Sequence, residues 1–120
     1  MKKLIIILIV LGVVYAVYKI YQQKNIDSNL RELIAQGAII LDVRTKGEFE
    51  NGHIQNAVNI SLGEIRERFI ELDTSKTYIT YCSHGLRSIK VKNLLKEKGF
   101  RSVYNGGSQE DLEAILKEIK

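Results

Sequence analysis

The 120-residue sequence has no proline and a single cysteine. Against an average proline content near 5% that absence is unusual, but no function follows from it. The lone thiol is more informative. It excludes an internal disulfide, and one cysteine with two histidines falls short of the four N or S ligands of a structural zinc site. Cys82 is therefore either inert core filling or a residue that does chemistry. Internal repeats and low-complexity segments are also missing. The chain is 45% hydrophobic and 27% charged, and no stretch is poor enough in apolar residues to read as disordered. The length leaves room for one domain.

Acidic residues are absent from positions 1–25, which hold Lys2, Lys3, Lys19 and Lys24. Residues 26–120 carry 14 basic and 14 acidic side chains, so the net charge of +4 belongs to the N-terminal segment. A nucleic-acid footprint needs a basic face on the folded domain itself, and none is expected here. Leu4 to Tyr18 are 15 uncharged residues, and letting Lys19 snorkel extends the run to Tyr21. That gives about 27 Å of helix against a hydrocarbon core of roughly 30 Å. Tyr15, Tyr18 and Tyr21 gather where an aromatic belt would sit, with Lys19 and Lys24 in reach of headgroups. Residues 1–25 thus read as a membrane anchor or signal segment with a short linker, and 26–120 as the domain. A single-pass anchor through residues 4–21 fits best. A signal peptide cleaved after Val14-Tyr15-Ala16, releasing an exported domain, and a buried core helix are the alternatives. Lys2 and Lys3 favour placing the domain on the extracytoplasmic side; Lys19 and Lys24 oppose this, leaving a slight lean.

The remaining 95 residues alternate between helix and strand. A short helix capped by Asp27 or Ser28 carries Leu30, Leu33 and Ile34 and closes at Gly37. Residues 38–41 form an apolar run suited to a strand buried on both faces. A helix over 45–51 ends at Gly52, and 57–60 is a short strand. Leu62, Ile65, Phe69 and Leu72 mark an amphipathic helix. Residues 77–81 are rich in β-branched and aromatic side chains and read as a strand. A helix over 86–98 stops at Gly99. A strand over 102–104, the run Asn105-Gly106-Gly107 and a helix carrying Leu112, Ile115, Leu116 and Ile119 complete the chain. This alternation predicts an α/β domain with a parallel sheet covered on both faces, binding its ligand at the carboxyl ends of the strands.

Cys82 falls at such an end. The following Ser83-His84-Gly85-Leu86-Arg87-Ser88 is small, polar or cationic. A loop wrapped around Cys82 aims backbone N–H groups at the sulfur, the next helix adds its positive end, and Arg87 adds a full charge. Each favours thiolate over thiol, and the same cradle suits an anionic substrate. Gly85 supplies torsions that other residues resist. The competing reading is a structural cysteine at a strand end. A solvent-accessible thiol is what the reactive reading requires.

Leu41-Asp42-Val43-Arg44, Glu48-Phe49, Gly52-His53-Ile54, Ala57 and Asn59-Ile60 resemble the front-half signature of the rhodanese-like domain family. The run from Cys82 to Ser88 is similar to that family's active-site loop, and Val103 to Gly107 to its closing glycine motif. The three occur in order between Ile26 and Lys120. The resemblance implies a three-layer α/β fold with a mostly parallel sheet of about five strands, which the apolar run would precede with one N-terminal transmembrane helix. It implies a sulfurtransferase in which Cys82 takes sulfane sulfur from a small anionic donor, thiosulfate or a persulfide, and hands it to a thiol or cyanide. Ser83, His84, Gly85, Leu86, Arg87 and Ser88 would bind substrate, with backbone amides from Ser83 to Arg87 around the terminal sulfur and Arg87 on the donor's sulfite end. Asp42, Arg44, Glu48 and His53 would support the site; no metal or organic cofactor is implied. The Cys-x4-Arg loop is one residue shorter than in relatives acting on phosphate or arsenate, which suits one sulfur atom. The aromatic that many members carry after the paired glycines is replaced by Ser108-Gln109-Glu110-Asp111-Leu112. A non-catalytic tethered binding or scaffolding module is the main alternative. A redox thiol is disfavoured because no second cysteine can resolve a sulfenate. The basic run Arg87, Lys90, Lys92, Lys96, Lys98 and Arg101 is either a solvated helix face or an electrostatic guide for anions.

Overall fold

The computed structural model describes residues 1–24 and 26–119, with the side chains of 22–24 outside the description. Four strands, β1 (Ile39–Asp42), β2 (Val58–Asn59), β3 (Tyr78–Cys82) and β4 (Val103–Ser108), form one sheet in the order β2-β1-β3-β4. Every pairing is parallel. The sheet among the described residues thus has four strands, where about five were expected.

The two faces follow from strand periodicity. On one face Ile39, Leu41, Tyr78, Cys82 and Val103 pack against Ile65 of α4 (Ile65–Arg68) and Val91, Leu94 and Leu95 of α5 (Leu86–Glu97). On the other, Ile40, Ile79, Tyr81 and Tyr104 pack against Leu30 of α2 (Leu30–Ala35) and Leu112 of α6 (Gln109–Ile119). This is the three-layer arrangement. The thiol therefore points toward α5, the helix that follows its own loop.

Several local expectations change. Neither Asp27 nor Ser28 caps α2; Asn29 holds that position, in the left-handed region at φ 59° and with no side-chain cap. Asp27 is engaged elsewhere, with Lys92 and the Asn105 amide. The amphipathic stretch 62–72 forms only a four-residue α4 and a 3-10 turn over Phe69–Glu71. Its burial requirement is met by Ile65 with Leu62, Phe69 and Leu72 at the edge of the core. β3 includes Cys82, and β4 runs on through both glycines.

The extension of β4 has a steric cause. A Cβ on Gly106 would lie 2.9 Å from Ile79 Cγ2, 3.0 Å from the Thr80 carbonyl oxygen and 3.1 Å from Leu112 Cδ2. Only a bare backbone lets β4 lie flat between β3 and α6. The register moves from Thr80–Asn105 to Cys82–Ser108, so β4 carries one extra residue beside the end of β3, a bulge of the kind that re-aims a strand end.

The helix α1 (Lys2–Lys24) is one continuous helix, and Lys2–Tyr21 is long and apolar enough to cross a membrane, with none of it buried in the protein. Its apolar side chains are open along its length, which removes the core-helix alternative. A membrane span and a signal sequence both satisfy this description.

Gly106→Ala is expected to destabilise the domain by about 1–3 kcal/mol, the range for overpacking a filled core. Urea unfolding followed by circular dichroism checks this, with Gly63→Ala, where a Cβ would meet only Ser61 Oγ at 3.9 Å, as the control.

Candidate active site

The site is built on a buried ion pair at the end of β1. Asp42 is fully buried and Arg44 is 7% exposed. Arg44 Nε donates to both Asp42 oxygens at 3.0 and 3.1 Å, Nη2 donates to Oδ2 at 2.7 Å, and the Arg44 amide donates to Oδ1 at 2.9 Å. Tyr81 of β3 donates its hydroxyl to Asp42 Oδ2 at 2.6 Å and accepts the Ile54 amide at 3.1 Å. Arg44 Nη2 also reaches the Gly52 carbonyl at 2.8 Å. Asn59 Nδ2 donates to the carbonyls of Asp42 and Arg44, each at 3.0 Å. Asp42, Arg44, Gly52, Ile54 and Asn59 of the front-half motifs are thus tied with Tyr81 into one network joining β1, β2, β3 and the 52–54 turn. Burial, then the bond to Asp42, raises the Tyr81 hydroxyl above its usual range, and the Asp42 bond raises the Arg44 guanidinium.

Glu48 does not join that pair. Thr45 caps the short helix α3 (Lys46–Glu50) in a reciprocal capping box with Glu48, which turns the carboxylate toward the Cys82 loop. There Arg87 Nη1 and Nη2 grip Glu48 Oε1 and Oε2 at 2.7 and 2.9 Å, and Ser83 Oγ donates to Oε2 at 2.8 Å. Arg87 Nη2 also donates to Ser83 Oγ at 3.0 Å. The Arg87 bond above all, opposed by desolvation, holds Glu48 far below the usual carboxylate range; the same bond raises Arg87.

Cys82 ends the central strand and is only 1% exposed. The open thiol anticipated from the sequence is not what the fold provides. The loop 83–88 and α5 close over it, and the Gly85 amide donates to Sγ at 2.9 Å. Gly85 does so at φ 87° at the head of α5, a torsion that favours glycine. Cys82 does line a surface cavity of about 290 Å³ with Tyr18, His84, Leu86 and Arg87. Leu86 is 37% exposed there. Ser83, Gly85 and Ser88 are not among the cavity's lining residues, and Ser88 is fully buried. His53 lies apart. Its ring stacks on Phe49 at 3.6 Å, its Nδ1 meets the Phe49 carbonyl at 2.8 Å, and it lines a different cavity beside α6. Among the described residues no group of three or more His, Cys, Asp or Glu side chains is placed to hold a metal.

In the basic run along α5 and just beyond it, Lys92 pairs with Asp27 at 2.6 Å and Lys98 stands 5.1 Å over the Phe69 ring. The sequence did not single out Tyr18 or Tyr81 for the site. The capping-box spacing Thr45-x-x-Glu48 was a visible signal, but its consequence 39 residues away at Arg87 was not.

The rhodanese-like domain profile matches residues 27–113. A tRNA sulfurtransferase from Thermoplasma acidophilum is 35% identical over 92 residues, 77% of this chain and 18% of the relative. A thiosulfate sulfurtransferase GlpE from Coxiella burnetii is 37% identical over 67 residues, 56% of this chain and 63% of the relative. The chain thus spans less than two thirds of either. The solved structure of a rhodanese with anions from E. coli superposes with a TM-score of 0.59 at 34% identity, covering 62% of this chain and 91% of the other.

Because the Glu48 carboxylate is depressed in the folded state, its contribution is fully present above the unfolded value of about 4.3 and is lost as pH falls through the folded one. Wild type should therefore exceed Glu48→Gln in Tm at pH 6–7, with the gap narrowing as pH falls below about 4. Thermal unfolding across pH 2–7 measures it.

Proposed function

The chain belongs to the rhodanese-like domain family, and from that premise we propose that it transfers sulfane sulfur through a persulfide on Cys82. A sulfurtransferase-family role agrees with the relatives. The observation that supports Cys82 as the carrier is its position: the chain's one thiol takes the Gly85 amide at 2.9 Å, and it faces a cavity that also holds Arg87.

In the first half-reaction the Cys82 thiolate attacks the outer sulfur of thiosulfate. The Sγ–S bond forms as the donor's S–S bond breaks, and sulfite leaves with the electron pair. In the second, an acceptor thiolate or cyanide attacks the terminal sulfur and Cys82 departs as thiolate. Arg87 spends one Nη1 donor on Glu48 and both Nη2 donors on Glu48 and Ser83. A guanidinium has five N–H groups, so Nε–H and a second Nη1–H remain for the sulfite oxygens. Glu48 and Ser83 orient the fork instead of touching the donor. His84 and Leu86, at the cavity rim, would contact substrate. Ser88 is buried and does not line the cavity, so it does not contact the donor.

The near-complete burial of Cys82 favours the rival reading, a non-catalytic binding module. Intact mass after thiosulfate treatment without reductant separates the two. A gain of one sulfur atom, lost in Cys82→Ser, is expected; an unchanged mass under saturating thiosulfate would leave the binding module.

We further propose that α1 is a single-pass anchor rather than a signal segment. Tyr18, near the end of the apolar run, lines the Cys82 cavity, which would hold the site at the level of the headgroups. A topology reporter fused after Lys120 is expected to be active on the extracytoplasmic side. A cytoplasmic signal would reverse the orientation, and release of the reporter from the membrane would mean cleavage.

A further inference from the structure

Beneath Cys82 lies a hydrogen-bonded chain that the sulfur-transfer steps do not use. Ser88 Oγ is 3.7 Å from Cys82 Sγ, 3.1 Å from the Gly85 carbonyl oxygen and 2.7 Å from Asn105 Oδ1. Ser88 and Asn105 are 0% and 1% exposed, and neither lines the Cys82 cavity. The Asn105 amide is oriented by the Gly107 N–H, which donates to Oδ1 at 3.1 Å. Its backbone is clamped as well: the Asn105 N–H donates to Asp27 Oδ2 at 2.6 Å, and the Asp27 N–H donates to the Asn105 carbonyl at 3.0 Å. Asp27 in turn pairs with Lys92. Thr80 Oγ1 fixes the backbone of Ser88 by donating to its carbonyl at 3.0 Å.

A hydroxyl has one proton to give. Gly85 O and Asn105 Oδ1 can only accept, so the Ser88 proton goes to one of them, and the shorter contact is with Asn105. The hydroxyl oxygen then presents a lone pair to Cys82, which suits a thiol donating S–H and opposes a thiolate. To stabilise the thiolate, Ser88 would have to turn its proton to the sulfur and give up Asn105.

We propose that Asn105 is a positioning residue for Cys82, holding the Ser88 hydroxyl as an acceptor beneath the sulfur and so restraining ionisation of the thiol. It opposes the Gly85 amide and Arg87, which act from the loop side. The inference deepens the sulfurtransferase reading, since it concerns the same thiol. Among the described residues the other charged or titratable groups around Cys82 are Arg87 with Glu48, His84 and Tyr18 at the cavity, Tyr78 on the same sheet face, Tyr81 with the Asp42–Arg44 pair, Asp27 with Lys92 behind Asn105, and Asp111 beside Gly107. Substituting Asn105 or Ser88 removes none of them.

The test is the pH profile of iodoacetamide alkylation of Cys82 in the full chain. Ser88→Ala should move the midpoint to lower pH, because the lone pair facing the sulfur is gone. Asn105→Leu should also move it lower, by about half a pH unit, or roughly threefold faster alkylation near neutral pH. In the Ser88→Ala background Asn105→Leu should add nothing. Asn105→Asp, which keeps an accepting oxygen and adds charge, should move the midpoint up, whereas simple damage would shift both Asn105 variants the same way. An upward move in Ser88→Ala would show the hydroxyl donating to the thiolate and would overturn the proposal. So would an Asn105→Leu shift that is absent, or that persists without Ser88. Alkylation needs no sulfur donor, so these shifts with no thiosulfate adduct would fail the sulfur-transfer reading alone.

Discussion

The structure depends on one buried ion pair. Asp42 and Arg44 sit two residues apart at the carboxyl end of β1, with Asp42 fully removed from water. A charge in that position is tolerable only if its partner and hydrogen bonds are complete, and here Arg44, Tyr81 and the Arg44 amide complete it. Removing one partner of such a pair costs about 3–5 kcal/mol. Because Tyr81 precedes Cys82 on β3, the pair also fixes the strand that presents the thiol. Because Arg44 holds the Gly52 carbonyl, it fixes the end of α3 as well.

From there the constraint passes to the site by rigid pieces. The α3 helix is short, but its capping box aims Glu48 at Arg87, and Arg87, so gripped, lines the cavity beside Cys82. The loop bends at Gly85, which brings one amide onto the sulfur. Gly106 lets β4 come close enough for Asn105 to reach Ser88 from below. The sulfur is thus held from two sides, by the Gly85 amide above and the Ser88 hydroxyl beneath. Its near-complete burial is a consequence of that grip, with the cavity beside Arg87 as its opening.

Much of this was legible in the chain. The strand and helix order, the position of the thiol at a strand end and the stop at Gly99 follow from periodicity and turn chemistry. Asp42, Arg44 and Glu48 were visible as supporting residues; that Glu48 would leave the Asp42–Arg44 pair and meet Arg87 on the loop was not. Asp27 read as a helix cap because such residues favour that position. Its capture by Lys92 and Asn105, 65 and 78 residues away, leaves no mark in local sequence. Ser88 read as a substrate contact because it follows Arg87, yet one further step along α5 turns its side chain inward.

By itself, then, the sequence determined the α/β class, the apolar N-terminal helix and the place of the one thiol at a strand end, because periodicity, run length and residue chemistry are local properties. Only the tertiary structure decided which guanidinium meets which carboxylate, how deeply Cys82 is covered and which hydroxyl lies under it. Those outcomes depend on strand register and on the one-residue bulge beside Cys82, which fall between segments distant in the chain and are set when the sheet closes.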